Sequence, residues 1–326
     1  MDILYTVDNN FVPQLAANIY SLASNHSGSN DITFHVFSKG ISNLNQSKLE
    51  SQVADLKQKI AFYDISDFMK KRDFEFDTRG WNEIVLARLL MAEFLPQDLS
   101  RVIYLDADTI VLDDISELWN ENLGNKILGM VCEPTADSSR RNSLGISSYF
   151  YHNAGVLLVD LTAWRRDHCQ SEVLKYCSEN AGKLFANDQD ALNVVFKDAI
   201  ASIGIRFNYS NIFDYYSYDF LNNLMPGFSS KEDYALAKQH PTIVHYLGEE
   251  RPWRHGNTHR FKSDYDYYLA KTCWRDAKQE EGWEGYFYIW RLFNLLTRPF
   301  PTLRYRVINS LIPAFMKYRA AMRKKA

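Results

Sequence analysis

Arg101-Val102-Ile103-Tyr104-Leu105-Asp106-Ala107-Asp108-Thr109 is the stretch on which the reading of this chain turns. Four apolar or aromatic residues run directly into two carboxylates spaced by one residue. An unbroken run of this kind suits a strand covered on both faces, as in a parallel sheet. The acids then stand at the strand's exit, where ligands of open α/β sheets bind. Two hard oxygen donors there can hold a divalent cation, which in turn can grip a diphosphate. Alone the spacing is weak, because strand-end turns also use Asp for local hydrogen bonds and helix caps.

Outward from this stretch, apolar and β-branched runs recur at 3–7, 32–37, 60–65, 127–131, 155–160 and 242–246. Helix-period segments lie between the early ones, at 12–24, 43–58 and 81–94. Strand alternating with helix predicts an α/β, Rossmann-like, mostly parallel sheet flanked by helices. The aromatic, Asn/Asp-rich segment 208–228 has no period and reads as loop. A boundary is expected near 258–283, giving a catalytic region over 1–260 and a C-terminal extension over 261–326.

The 326 residues carry 37 Lys and Arg against 40 Asp and Glu, so a general nucleic-acid binder is not expected. Four cysteines without a C-x-x-C pair read as buried apolar side chains, not a disulfide or zinc framework. The first residues offer neither the basic region nor the apolar stretch of a signal peptide, so a cytoplasmic location is expected. Charge is uneven along the chain. Residues 291–326 contain nine basic side chains and no acid, so the remainder carries −12 against the formal −3 of the whole. Leu303, Val307, Ile308, Leu311, Ile312, Phe315 and Met316 follow a helical period there, and Pro313 is expected to kink the helix. A basic amphipathic segment behind an aromatic cluster (Trp283, Tyr286, Phe287, Trp290, Phe293) suits an anionic membrane surface, or packs on its own domain with the basic face in water.

Further polar residues follow apolar runs. His245, in Val244-His245-Tyr246-Leu247-Gly248-Glu249-Glu250-Arg251-Pro252-Trp253, can add an imidazole to the two carboxylates. A mixed oxygen and nitrogen set accepts Mn²⁺ better than Mg²⁺. Arg251 can neutralise a phosphate or be a surface charge. Asn153-Ala154-Gly155 offers an amide beside small residues that permit close approach of a ligand, or marks a bulged strand start. Asn187-Asp188-Gln189-Asp190 opens a helix. Positions 188 and 190 lie about 200° apart on a helix, so only part of the group can face one pocket. Asp8, after the first strand, can accept from a nucleotide base or simply start a helix.

In this order and spacing, Tyr104-Leu105-Asp106-Ala107-Asp108, Asn153-Ala154-Gly155-Val156-Leu157-Leu158, Asp188-Gln189-Asp190-Ala191-Leu192-Asn193 and His245-Tyr246-x-Gly248-x-x-Arg251-Pro252-Trp253 resemble glycosyltransferase family 8. This is the GT-A-fold group that includes lipopolysaccharide galactosyl- and glucosyltransferases and general-stress-protein-A-like proteins. The resemblance spans about residues 1–260. It implies a retaining transferase that takes glucose or galactose from a UDP-sugar, uses Mn²⁺, and glycosylates a glycan or lipid-linked oligosaccharide. It implies Asp106, Asp108 and His245 as metal ligands, with Thr6, Asp8 and Asn10 at the uridine end. Arg88, in Ala87-Arg88-Leu89, is implied to reach the nucleotide-sugar, Ala107 to lie beside it, and Gly248 with Arg251 to clamp the diphosphate. Asn153, Asp188 and Gln189 are implied to meet the donor sugar, with Gln189, Asp188 and Asp190 the catalytic candidates. The chain departs from the family pattern in Arg251-Pro252-Trp253, where Lys-Pro-Trp is usual, and in Glu133, where the family has an Asp. A haloacid-dehalogenase-like phosphatase using Asp106 and Asp108 is the alternative, although its signature ends the first strand of its domain. A catalytically inactive UDP-binding module at the membrane is a third reading.

Overall fold

The fold is that of a computed structural model, which describes residues 1–28, 31–66 and 83–323, without the side chains of 83, 85 and 313–323. The predicted helix start at 81–82 and the basic residues Lys324 and Lys325 lie outside this range.

Among the described residues, ten strands form two sheets: β1 (Asp2–Asp8), β2 (Thr33–Lys39), β3 (Lys59–Asp64), β4 (Arg101–Leu105), β5 (Thr109–Val111), β6 (Leu128–Cys132), β7 (His152–Asp160), β8 (Ile200–Ile203), β9 (Tyr209–Ser210) and β10 (Ile243–His245). The larger sheet has the order β3-β2-β1-β4-β7-β6-β8, and the smaller β5-β10-β9. Pairings across β3-β2-β1-β4 are parallel, and β7 alone runs against its neighbours β4 and β6. The chain moves outward from β1 to β2 and β3, then returns to the other side of β1 with β4. The switch point between β1 and β4 is where such sheets open a crevice at their carboxyl ends.

Alternation along the central strands divides the core. Leu4, Val102, Tyr104, Leu157 and Val159 face one apolar cluster, and Ile3, Ile103, Leu105, Val156 and Leu158 face the other. Because both faces are covered, the strands read as continuous apolar runs. The helices Val12–Asn25 and Asn43–Asp55 match two expected segments; the third is a 3-10 helix, Glu83–Leu90, followed by one α-turn, Met91–Phe94.

The segment expected to be loop differs from that expectation. It starts at the last residue of the 3-10 turn Ile205–Asn208 and holds β9 and the helices Ile212–Tyr215 and Tyr218–Leu224. Its aromatic residues obey no period because they pack into a third cluster, with Tyr209, Phe213 and Tyr216 buried against Tyr246 and Phe261. Tertiary contact, not amphipathic patterning, sets these short elements. Cys132, Cys169 and Cys177 are buried, but Cys273 is exposed.

Two helices, Glu284–Thr297 and Pro301–Arg323, close the chain as a hairpin, and the second continues through Pro313. The buried Arg304 fixes the hairpin: its guanidinium lies 4.1 Å from the Tyr215 ring centre and 5.3 Å from that of Trp290. Tyr305 donates to Asp137 Oδ2 at 2.9 Å. No described helix is long and apolar enough to cross a membrane.

Candidate active site

Strand β4 ends at Leu105, and the turn that follows delivers both acids to the crevice. Asp106 N donates to Gly155 O at 2.8 Å, which locks the turn to β7. Since β7 runs antiparallel, its first residues, including Asn153, lie at the same edge as the exit of β4. Opposite Asn153 the register slips between Met130 and Val131, so the expected bulge and the expected ligand-facing amide are one feature. Strand β5 then pairs with β10 so that Thr109 stands opposite His245. This pairing carries the imidazole from far along the chain to the acidic pair.

Asp106, Asp108 and His245 offer ligand atoms that all lie within 4.8 Å of one another. His245 Nε2 is 3.3 Å from Asp108 Oδ1 and 3.8 Å from Asp106 Oδ2. Two carboxylates and one imidazole nitrogen converging on a point form a donor set that fits a divalent cation. Arg251 Nη2 approaches Asp108 Oδ2 at 3.3 Å. Burial raises the Asp108 pKa, but the His245 ring in its protonated form, and then Arg251, outweigh it and hold the carboxyl down at about 2. Gly248, with φ of +70°, supplies the left-handed turn that swings Arg251 inward. The Arg251 guanidinium lies 5.6 Å from the ring centres of both Phe11 and Trp253.

Arg88 ties the metal-side acids to the helix beyond. Its Nη2 is 2.9 Å from Asp106 Oδ1, its Nε is 2.9 Å from Asp188 Oδ2, and its Nη1 donates to Ala154 O at 2.6 Å. Tyr104, packed under this guanidinium, donates to Asp106 at 2.5 Å. Burial acts to lower the Arg88 pKa, but Asp106 and Asp188 hold it above the usual value. Burial, only partly countered by Arg88 and reinforced by Asp106, raises Asp188 to about 6.

The cleft has a volume of about 240 Å³ and is lined by residues from both sides of the switch point. Thr6, Asp8, Arg88, Asp106, Ala107, Asp108, Asn153, Asp188, Gln189, His245, Gly248 and Arg251 all reach it. Two candidates do not. Asn10 is exposed on the 3-10 turn Asn9–Phe11, where its N–H is capped by Asp8 at 2.9 Å. Asp190 is fully buried and turned away from the cleft, accepting from Tyr151 Oη at 2.6 Å and from the Phe185 and Ala186 amides, and paired with Arg140. It holds the loop that presents Asp188 and Gln189.

The Gln189 amide is itself fixed. Its oxygen accepts from Ala154 N at 3.0 Å, and its Nε2 donates to Glu133 Oε2 and Tyr151 Oη, both at 3.1 Å. Glu133 also accepts from Asn153 Nδ2 at 2.9 Å, and burial raises its pKa. Two positioning residues stand outside the motifs. Asn18, on the first helix, grips Thr109 through its backbone oxygen at 2.8 Å and its hydroxyl at 2.6 Å. Asn208 meets both Asn153 and His245. Neither stands in a recognisable motif; an amide in a helix pattern or an aromatic loop was the sole signal.

A model of glycosyl transferase family 8 matches residues 2–256. The chain belongs to glycosyl transferase family 8. Among family relatives, General stress protein A of Bacillus subtilis is 25% identical over 279 residues, covering 84% of this chain and 94% of that protein. Lipopolysaccharide glucosyltransferase WaaO of Escherichia coli is 25% identical over 294 residues, covering 87% and 79%. The structure of the galactosyltransferase LgtC in complex with donor and acceptor sugar analogs superposes with a TM-score of 0.70 at 26% identity, covering 87% of this chain and 99% of that one. The family 8 chain is therefore a glycosyltransferase with the GT-A fold. The phosphatase alternative has no support: the acidic pair follows the fourth strand, not the first.

Proposed function

We propose that this chain is a retaining hexosyltransferase that moves glucose or galactose from a UDP-sugar to a hydroxyl of a glycan or lipid-linked oligosaccharide. The observation that carries this reading is the convergence of Asp106, Asp108 and His245 at the mouth of the cleft, beside Arg251. These three side chains would hold the cation, with Mn²⁺ favoured over Mg²⁺ by the imidazole. When bound, the ion supplies Lewis-acid stabilisation of the leaving diphosphate.

The protein's own groups divide the remaining work. Arg251 offers preorganised positive potential where charge grows on the departing phosphate. Thr6 and Asp8, at the end of β1, meet the uridine. Arg88, Asn153, Asp188 and Gln189 meet the donor sugar and orient it. The bond from the sugar's anomeric carbon to the phosphate oxygen breaks, and a bond to the acceptor oxygen forms on the same face. The acceptor proton passes to the departing phosphate. A covalent double displacement would need a free carboxylate nucleophile. Gln189 is a neutral amide, Asp188 is engaged by Arg88, and Asp190 is sealed beneath Arg140, so same-face attack is favoured. The test is UDP release from UDP-Glc, UDP-Gal and UDP-GlcNAc with and without Mn²⁺, with the product's anomeric configuration read by NMR. An inverted product refutes the retaining mechanism, and metal-independent release refutes the cation site. UDP binding without turnover of any donor would support the inactive-module reading.

The acceptor is proposed to lie at an anionic membrane surface, placing the enzyme at the inner face of the cell membrane as a peripheral protein. Helix Glu284–Thr297 turns Tyr288, Ile289, Leu292, Leu295 and Leu296 to solvent along one face; Ile289 is 67% exposed and Leu295 and Leu296 are 70% exposed. Phe300 and Leu303, next along the chain, are also exposed, and Arg291, Arg298 and Arg306 are interspersed in the same stretch of sequence. Apolar side chains amid cations, with Glu284 the one acid over 284–312, complement an anionic lipid surface. Liposome co-sedimentation should fall on replacing Leu295 and Leu296 with Glu; unchanged binding removes the proposal.

A further inference from the structure

The tautomer of His245 can be read from its neighbours, beginning at a backbone amide whose direction is not in doubt. Gly155 N donates to Asn153 Oδ1 at 2.8 Å. An N–H cannot face an NH₂ group productively, so the Asn153 atom at this position is oxygen. The same oxygen lies 2.8 Å from the side-chain amide of Asn208, which must present its NH₂ there. The other end of that amide, Oδ1, is therefore the atom 2.9 Å from His245 Nδ1. A carbonyl oxygen only accepts, so Nδ1 carries the proton. In the neutral ring the lone pair is then on Nε2, the atom that faces Asp106 and Asp108.

Asn208 is well placed to hold this arrangement. It is 3% exposed, ends the 3-10 turn Ile205–Asn208 and leads into β9, whose Ser210 pairs with His245 in parallel register. Gly155 lies against the same ring, at a position where a β-carbon would meet Cε1 and Nδ1.

We infer that Asn208 is a positioning residue that fixes His245 in its Nδ1–H tautomer and couples that ring to the donor-sugar amide of Asn153. This inference rests on the cation reading of the Asp106, Asp108 and His245 trio. Three electron-pair donors then face one point, and each amide link keeps the imidazole from rotating or offering an N–H to it. Partners behind a metal-binding histidine act in this way on ring orientation and ligand basicity.

Long-range ¹H–¹⁵N spectra of the metal-free full-length protein, recorded at a pH where the spectra themselves show the ring to be neutral, read the tautomer directly. Mn²⁺ binding followed by EPR supplies the second measurement, without nucleotide or turnover. The wild type should show an Nδ1–H and a bare Nε2. Asn208→Leu should lose that single tautomer and bind Mn²⁺ about 10- to 100-fold more weakly. Asn208→Asp keeps an acceptor for Nδ1–H but no donor for Asn153. It should retain Mn²⁺ affinity within a few-fold and instead raise the donor KM. An Nε2–H in the wild type overturns the inference, as does a folded Asn208→Leu protein with unchanged Mn²⁺ affinity. A wild type with Nδ1–H that binds no Mn²⁺ would sink the cation reading and leave the amide chain intact, so the two failures are distinguishable.

Discussion

Gly155→Ala is the smallest change that should disable the site. A methyl at this position would lie 2.5 Å from His245 Nδ1 and 3.0 Å from Asn153 Oδ1. Ordinary contact begins near 3.4 Å, so the ring must retreat by about 1 Å. It has little room: His245 is 3% exposed, paired on both sides by β5 and β9, and held at Nδ1 by Asn208. Metal–ligand distances tolerate only about 0.2 Å, so a displacement of this size removes the imidazole from the coordination set. A misplacement of about 1 Å costs on the order of 100-fold in rate, and the overpacking costs about 1–3 kcal/mol of stability. Mn²⁺ titration and UDP release measure the first effect, and urea unfolding the second. Gly129→Ala is the control. Its β-carbon would meet Leu123, Ile203 and Leu158, none of which lines the cleft, and should cost stability with metal affinity unchanged. Wild-type Mn²⁺ affinity and turnover in Gly155→Ala would refute the reasoning.

Other expectations follow from the same geometry. Asp108→Asn should abolish Mn²⁺-dependent turnover while circular dichroism stays native, because one anionic ligand is lost without a change of shape. Arg88→Met removes the shared partner of Asp106 and Asp188. It should destabilise by about 3–5 kcal/mol in urea unfolding, as breaking a buried ion pair does, and Arg88→Lys should recover only part of this because an ammonium cannot span three acceptors. His152 is held down at about 4 by burial. Its contribution is present above the unfolded value of about 6.5 and is lost as pH falls toward 4, by about 2 kcal/mol at pH 5. The stability difference between pH 7 and pH 5 should shrink by that amount in His152→Gln.

The central strands were legible because parallel strands covered on both faces must be apolar throughout. The runs at 3–7, 32–37 and 102–105 therefore needed no partner to be recognised. β5, β8, β9 and β10 are only two to four residues long, too short for a period to declare itself; β10 alone lies inside an expected apolar run, at 242–246, and β5, β8 and β9 lie outside all of them. The helices at 212–224 were missed because their aromatic residues answer to the third core cluster and not to a face of their own helix.

Residue chemistry and order along the chain determined the α/β class, the acidic pair at the end of β4, and the imidazole that could join it. Those depend on local polarity and on which side chains can donate a lone pair, and both are properties of sequence. Only the tertiary structure decided that Asp188 faces the cleft while Asp190 is sealed under Arg140, and that Asn208 stands behind His245. Direction in space is set by helix rotation and by pairing between strands more than a hundred residues apart, and no short stretch of sequence contains that information.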